Sequence, residues 1–197
     1  MAYSLEEGST LVKAARHSVE LFLTSVKFKK SIVEKRAAHL EEHHGIFVNI
    51  RHYPLGAPRG SAALIKGVRP VRSLIVDAAI LAASEDKRHV PVSHHELEHI
   101  LFEVGVFSRP VRLSGPISKM KLRQGKEGIM VEYGFRSGFL LPEEIKKGEK
   151  MERILEKVCA AAGISSHDYK RADVSFHKFS AQRFVEIEPS GQVEEVG

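Results

Sequence analysis

The sequence predicts an α+β fold in which helices and short strands follow one another without regular alternation. Apolar residues recur at helical spacing over 10–26 and 151–162, whereas 46–50 and 102–107 are typical of strands. A doubly wound sheet needs strands and helices in regular alternation, and this order lacks it. With 197 residues, the chain is long enough to bury a core without disulfide bonds.

In the N-terminal half, capping and turn residues predict where the helices and strands begin and end. Thr10 is predicted to cap a first helix, and a second, charged helix is expected over about 31–43. Strands are predicted over 46–50 and 61–65, on either side of a turn rich in proline and glycine. Pro70 suits the first turn of a third helix with an apolar stripe.

The middle of the chain predicts a short helix and a hairpin. Ser93 and Glu96 form a Ser-x-x-Glu capping box, which indicates a helix start, and a strand follows over 102–107. Residues 121–123 and 129–133 flank a glycine-containing turn, so we predict that they pair as a hairpin.

The C-terminal part predicts a helix, a strand and a tail. The helix over 151–162 ends at Gly163, and Cys159 lies on its apolar stripe. We interpret this single cysteine as an inert core thiol and expect a reducing, cytoplasmic compartment. A last strand is predicted within 176–187, and 189–197 is predicted to be a flexible tail. No apolar run approaches the length of a membrane span, and no secretory signal is expected.

The formal net charge of +5 is unevenly distributed. Residues 108–126, here called the basic segment, hold six bases and no acid: Arg109, Arg112, Lys119, Lys121, Arg123 and Lys126. The simplest interpretation is a solvated surface. The alternative is an RNA-binding accessory surface, although the segment lacks the aromatic residues on which single-stranded bases stack.

Residues 95–99 match the motif His-Glu-x-x-His. On an α-helix, His95 and His99 would share a face and could bind zinc, with Glu96 activating a water as in a hydrolase. Because Glu96 also belongs to the capping box and the helix is short, we expect no metal or other cofactor. The zinc-dependent hydrolase is kept as an alternative.

Seven blocks of sequence follow one another in the order of a known family. They cover residues 45–50, 86–92, 102–107, 125–129, 138–143, 159–164 and 179–186. On these blocks the chain, from about residue 10 to 187, resembles the AMMECR domain family, also called AmmeMemoRadiSam system protein A. The family's hallmark Leu-Arg-Gly-Cys-Ile-Gly corresponds here to Pro58-Arg59-Gly60-Ser61-Ala62-Ala63. This chain resembles a divergent member in which Ser61 replaces the signature cysteine.

The resemblance implies a two-lobed fold with antiparallel sheets and flanking helices, in which both termini build the larger lobe and the middle of the chain forms a smaller inserted lobe. It also implies a cleft that holds a large substrate or protein partner, within a modification pathway linked to Memo-type and radical SAM proteins. In that cleft we expect Arg59 to anchor a carboxylate or phosphate, and Gly60 to allow close backbone approach. Further polar candidates for the cleft are Ser61, Asp86, Arg88, His89 and Glu103.

Overall fold

The computed structural model describes residues 3–25 and 27–196, and in this part of the chain four α-helices and nine strands are formed. The helices are α1 (Leu5–Thr24), α2 (Lys30–Arg36), α3 (Val71–Ser84) and α4 (Met151–Ala161). The strands are β1 (Ile46–His52), β2 (Pro58–Leu64), β3 (Ile100–Phe107), β4 (Val111–Leu113), β5 (Gly128–Tyr133), β6 (Arg136–Leu140), β7 (Ser175–Phe179), β8 (Ala181–Glu186) and β9 (Val193–Val196). The predicted α+β class is confirmed.

The strands form two separate sheets. One has five strands in the order β2-β1-β3-β8-β9, and the other has four in the order β4-β7-β5-β6. By its contacts the chain divides into two compact units, the first made of Met1–Phe107 with Gln182–Gly197 and the second of Ser108–Ala181. Among the described residues, none of the helices combines the length and the apolar character needed to cross a membrane.

The core of the first unit lies between the five-stranded sheet and helices α1 and α3. Alternate residues of β1, such as Val48 and Ile50, point to this core, where they join Leu11 of α1 and Ile75 of α3. Helix α1 begins earlier than predicted. Ser4, six residues before Thr10, forms a capping box with Glu7, so Thr10 lies inside the helix.

A buried ion pair joins α1 to β8 within this core. The Arg16 Nε and Glu186 Oε1 atoms are 2.6 Å apart, and Arg16 Nη2 is 2.6 Å from Glu186 Oε2. Arg16 also donates to the carbonyls of Leu97 (3.0 Å) and Ile100 (2.7 Å). The Phe102 amide donates to the Glu186 carboxylate at 2.9 Å. Both charges are therefore removed from water and satisfied by hydrogen bonds.

The core of the second unit forms where α4 packs on the four-stranded sheet. The apolar stripe of α4 contributes Ile154, Leu155 and Val158 together with Cys159, which is fully buried. Burial raises the pKa of the Cys159 thiol to about 11, so the interpretation as an inert core thiol agrees with the structure.

Three further predicted elements differ from the structure. The hairpin pairing residues 121–123 with 129–133 is wrong, because β5 pairs instead with β6 through a tight turn in which Gly134 has φ +57°. The second helix ends at Arg36 rather than near residue 43. Part of the predicted tail is strand β9, because Val193–Val196 pair antiparallel with Arg183–Glu186 of β8, with Val193 opposite Glu186.

Candidate functional site

Three polar side chains form a row across the five-stranded sheet. Asn49 of β1 pairs with Ser61 of β2 on one side and with Glu103 of β3 on the other. Because Val48 and Ile50 point to the core, the intervening Asn49 lies on the opposite face of the sheet. The Asn49 Nδ2 atom donates to Glu103 Oε2 at 3.3 Å. We call Ser61, Asn49 and Glu103 the polar row.

Asp86 and Arg88 meet the polar row at its Ser61 end. The Ser61 amide donates to Asp86 Oδ2 at 2.9 Å, and Arg88 Nη2 donates to the Ser61 hydroxyl oxygen. Arg88 also grips both Asp86 oxygens, at 2.9 and 2.7 Å, and these hydrogen bonds hold the pKa of that carboxyl well below its usual range. The Asp86 side chain is only 7% exposed, whereas Arg88 is 66% exposed.

Two further arginines meet the row at its Glu103 end. Arg51 Nε donates to Glu103 Oε2 at 3.1 Å, and Arg183 Nε donates to Oε1 at 2.7 Å. The Glu103 side chain is 2% exposed, against 33% for Arg51 and 24% for Arg183. A buried carboxylate is tolerated only when it is paired in this way. At both ends of the row the carboxylates are therefore buried and the guanidinium groups reach solvent.

Arg59 faces other partners than the sequence predicts. Its Nε and Nη2 atoms donate to the Glu96 carboxylate at 2.6 and 3.0 Å, and the remaining donors reach the carbonyls of Val90 (2.9 Å) and Pro91 (3.2 Å). The side chain is buried. Arg59 thus holds the segment after α3, and the anchoring role expected for it does not agree with this geometry, since the guanidinium is buried and does not face solvent.

Gly60 and His89 are also placed by the local fold. A Cβ atom on Gly60 would lie 2.2 Å from the carbonyl oxygen of Ala82, so the close approach that requires glycine is to helix α3. His89 belongs to the turn that begins at Asp86, and its amide donates to the Asp86 carbonyl at 3.0 Å.

The histidines of the His-Glu-x-x-His motif do not share a helix face. Residues His94–His99 form a 3₁₀ helix, in which positions four apart point about 120° away from each other. The predicted Ser93 capping box is confirmed, and its partner Glu96 is also held by Arg59. Among the described residues, no three His, Cys, Asp or Glu side chains are grouped so that they could hold a metal.

The basic segment lies entirely in the second unit. Arg112 lies on β4 at the edge of the four-stranded sheet, and Arg123 pairs with Glu127 at 3.1 Å. The other bases of the segment are exposed: Arg109, Lys119, Lys121 and Lys126. The segment therefore contains no part of the polar row.

Acidification is expected to weaken the brace between Glu96 and Arg59. Hydrogen bonds from Arg59 lower the pKa of Glu96 from 4.5 to about 2 in the folded protein. A depressed folded pKa gives stability that is present above the unfolded value and is lost as the pH falls towards 2. We expect the stability gap between wild type and Glu96→Gln, measured by urea unfolding, to shrink by about 1–2 kcal/mol from about pH 5 to about pH 2.5. Glu156→Gln, which alters an exposed pair, is the control, and a gap independent of pH would contradict this assignment.

Comparisons with known proteins give a consistent result. A family model described as AMMECR1 matches residues 12–184. Protein MJ0810 of Methanocaldococcus jannaschii is 32% identical over 194 residues, which cover 96% of this chain and 95% of that protein. Protein MK0488 of Methanopyrus kandleri is 35% identical over 198 residues, or 98% of this chain and 94% of that protein. The crystal structure of the uncharacterized protein PH0010 from Pyrococcus horikoshii is similar with a TM-score of 0.84, at 30% identity and with 97% of each chain covered.

Proposed function

The chain belongs to the AMMECR1 family, and on that basis we propose that it binds an acidic group of a protein partner or large substrate at the polar row. The observation that carries this proposal is the arrangement of charges at the two ends of the row. The buried carboxylates of Asp86 and Glu103 orient arginines whose guanidinium groups reach solvent. An incoming group therefore meets positive charge first.

A carboxylate or a phosphate is the chemical class that suits these arginines. A guanidinium makes charge-assisted hydrogen bonds to either group, and a buried carboxylate that already holds the arginine fixes its orientation before the group binds. Arg88 is held in this way by Asp86, and Arg51 is held by Glu103. In this proposal Arg88 takes the anchoring role that the sequence assigns to Arg59.

Binding is favoured over nucleophilic catalysis at Ser61. A serine nucleophile needs a neighbouring base that removes its proton. The Ser61 hydroxyl oxygen instead accepts a hydrogen bond from Arg88, and a guanidinium keeps its protons at all physiological pH values. The serine hydrogen is left to donate to a bound acidic group, beside the arginine fork.

The resemblance suggests which partner to test first. Because family members are linked with Memo-type and radical SAM proteins, we propose that the acidic group belongs to a Memo-type protein of the same organism, within a modification pathway. This choice of partner rests on the family, whereas the choice of surface rests on the arginines of the polar row.

The test is the affinity of the purified Memo-type protein for variants of this chain, measured by isothermal titration calorimetry. We expect Arg88→Ala to weaken binding by about tenfold, because the exposed positive charge that Asp86 holds beside the acidic group is lost. Lys87→Ala removes a neighbouring exposed charge without touching Asp86 and is expected to change the affinity by less than about twofold. Thermal unfolding of each variant serves as the folding control.

Two results would contradict the proposal. Wild-type protein that does not bind the Memo-type protein would reject this partner. Equal losses for Lys87→Ala and Arg88→Ala would reject the polar row as the binding surface, because a diffuse charge effect would then explain both.

A further inference from the structure

A groove of about 670 Å³ opens in the second unit, between the loop that follows β4 and the residues that lead into β7. Its apolar side is made by Leu113, Ile117 and Met120, which pack against the core of this unit. Tyr169 also lines the groove and packs against the same core. The volume lies within the range of sites that bind small molecules or single nucleotides.

The rim of this groove is cationic. Arg112, Lys170 and Arg171 line it, and no Asp or Glu occurs among the described residues that do so. Arg171 pairs with Asp173, but both side chains are exposed, so solvent screens that pair and another anion can compete for the arginine. The Lys170 ammonium lies 5.5 Å from the centre of the Tyr169 ring, which places positive charge beside an aromatic face.

A second cavity, in the first unit, has the opposite charge and serves as a comparison. It measures about 710 Å³ and contains Tyr53 together with the acids Glu20, Glu98 and Glu188. Its arginine, Arg16, is already neutralised by the buried Glu186. An aromatic ring is therefore present in both cavities, and of the two only the groove of the second unit is lined by cations without a lining carboxylate among the described residues.

We propose that the groove of the second unit binds single-stranded RNA. One base stacks on Tyr169 against the apolar side, and the adjoining phosphates contact Arg112, Lys170 and Arg171. The basic segment lacks aromatic residues of its own, but the fold brings Tyr169 to it from a distant part of the sequence. The exposed bases of the basic segment outside the groove add positive charge to the same unit, and this charge attracts the RNA backbone.

The hydroxyl groups of the groove favour RNA over DNA. Ser114 and Ser175 line it beside Arg112, and serine hydroxyls can donate to and accept from a ribose 2′-hydroxyl. An acidic peptide would satisfy the cations but would leave the ring of Tyr169 and the apolar side without a planar partner. The cationic rim, the Tyr169 ring and the serine hydroxyls together therefore favour an RNA strand over an acidic peptide as the ligand.

The experiment is fluorescence anisotropy of a labelled uridine decamer RNA titrated with the full-length protein. We expect the affinity to fall by about tenfold or more when salt is raised from about 50 mM to about 200 mM. Tyr169→Ala is expected to weaken binding by about tenfold, because one base loses its stacking partner. Tyr53→Ala is the matched control, since it removes a tyrosine from the acidic cavity, and it should leave the affinity unchanged.

A second pair of variants tests the phosphate contact. Arg112→Ala should reduce the slope of log affinity against log salt by about one, whereas Arg153→Ala, an exposed arginine of α4 outside the groove, should leave the slope unchanged.

Four outcomes would overturn the proposal. They are undetectable RNA binding at about 50 mM salt, equal losses for Tyr169→Ala and Tyr53→Ala, tighter binding of the matching DNA decamer, and displacement of the RNA by a glutamate decamer at equal concentration. The last outcome would reassign the groove to an acidic peptide.

Discussion

Replacing Arg16 by alanine is expected to lower the free energy of unfolding by about 3–5 kcal/mol. The change leaves the Glu186 carboxylate buried without a counter-ion, and it removes the donors to the carbonyls of Leu97 and Ile100. An unpaired buried charge has lost its solvation without gaining an ion pair. The loss of stability is therefore far larger than when a surface ion pair is removed. Urea unfolding at neutral pH measures it.

Two further variants separate pairing from general damage to the helix. Arg153→Ala removes an exposed arginine of α4 that pairs with Glu156, and it should cost less than about 1 kcal/mol. The double variant Arg16→Met with Glu186→Leu should recover only part of the lost stability, because the apolar pair needs no counter-ion but leaves the Ile100 carbonyl and the Phe102 amide without these partners. If Arg16→Ala costs no more than Arg153→Ala, the buried pair does not hold α1 to the sheet in solution.

Replacing Gly60 by alanine is expected to cost about 3 kcal/mol. The new Cβ atom would lie 2.2 Å from the carbonyl oxygen of Ala82, which belongs to the backbone of α3 and cannot rotate away. Strand β2 or helix α3 must therefore move, and with it the core between them. Thermal and urea unfolding report the loss directly.

Gly191→Ala is the matched control for this substitution. There the new Cβ atom would first meet the side chain of Glu188, which can change its rotamer, so the expected cost is below about 1 kcal/mol. Wild-type stability in the Gly60 variant would show that the helix and the strand are not in contact as described.

Much of the fold could be predicted from local patterns. The stripe of α4 and its stop at Gly163, where φ is +66°, follow from spacing and from a single glycine. The capping box of Ser93 and Glu96 follows equally from four consecutive residues. The hairpin of residues 121–123 was wrong because alternation alone does not identify a strand's partner, which the whole sheet decides.

The candidate site was predictable only in part. The resemblance led to Ser61, Asp86, Arg88 and Glu103, which the structure brings to the polar row and its ends. It did not lead to Arg183, because the pairing of this residue with Glu103 joins positions 80 apart in the chain. Asn49 and Arg51 could have been predicted, because they alternate with apolar residues along the strand. Such alternation indicates that one face of the strand is polar.

The role of Arg59 shows why a motif does not fix the task of its residues. The resemblance to the family hallmark suggests that Arg59 is an exposed anchor in a cleft, yet here the guanidinium is buried against Glu96. The direction of the Arg59 side chain depends on a shift in the pairing of β2 with β1. Ile50 pairs with Gly60 and Arg51 with Pro58, so Arg59 is the extra residue between them. Such a bulge is not visible in the sequence.

The contacts of β2 also bear on how the chain can be recombined with its relatives. Asp86 is fastened to the Ser61 amide, while the carbonyls of Val90 and Pro91 are fastened to Arg59. The stretch from 86 to 96 is thus tied at several points to one strand. In a chimaera, strand β2 and residues 86–96 must therefore be exchanged together. If only one of them comes from a relative, buried polar groups lose their partners.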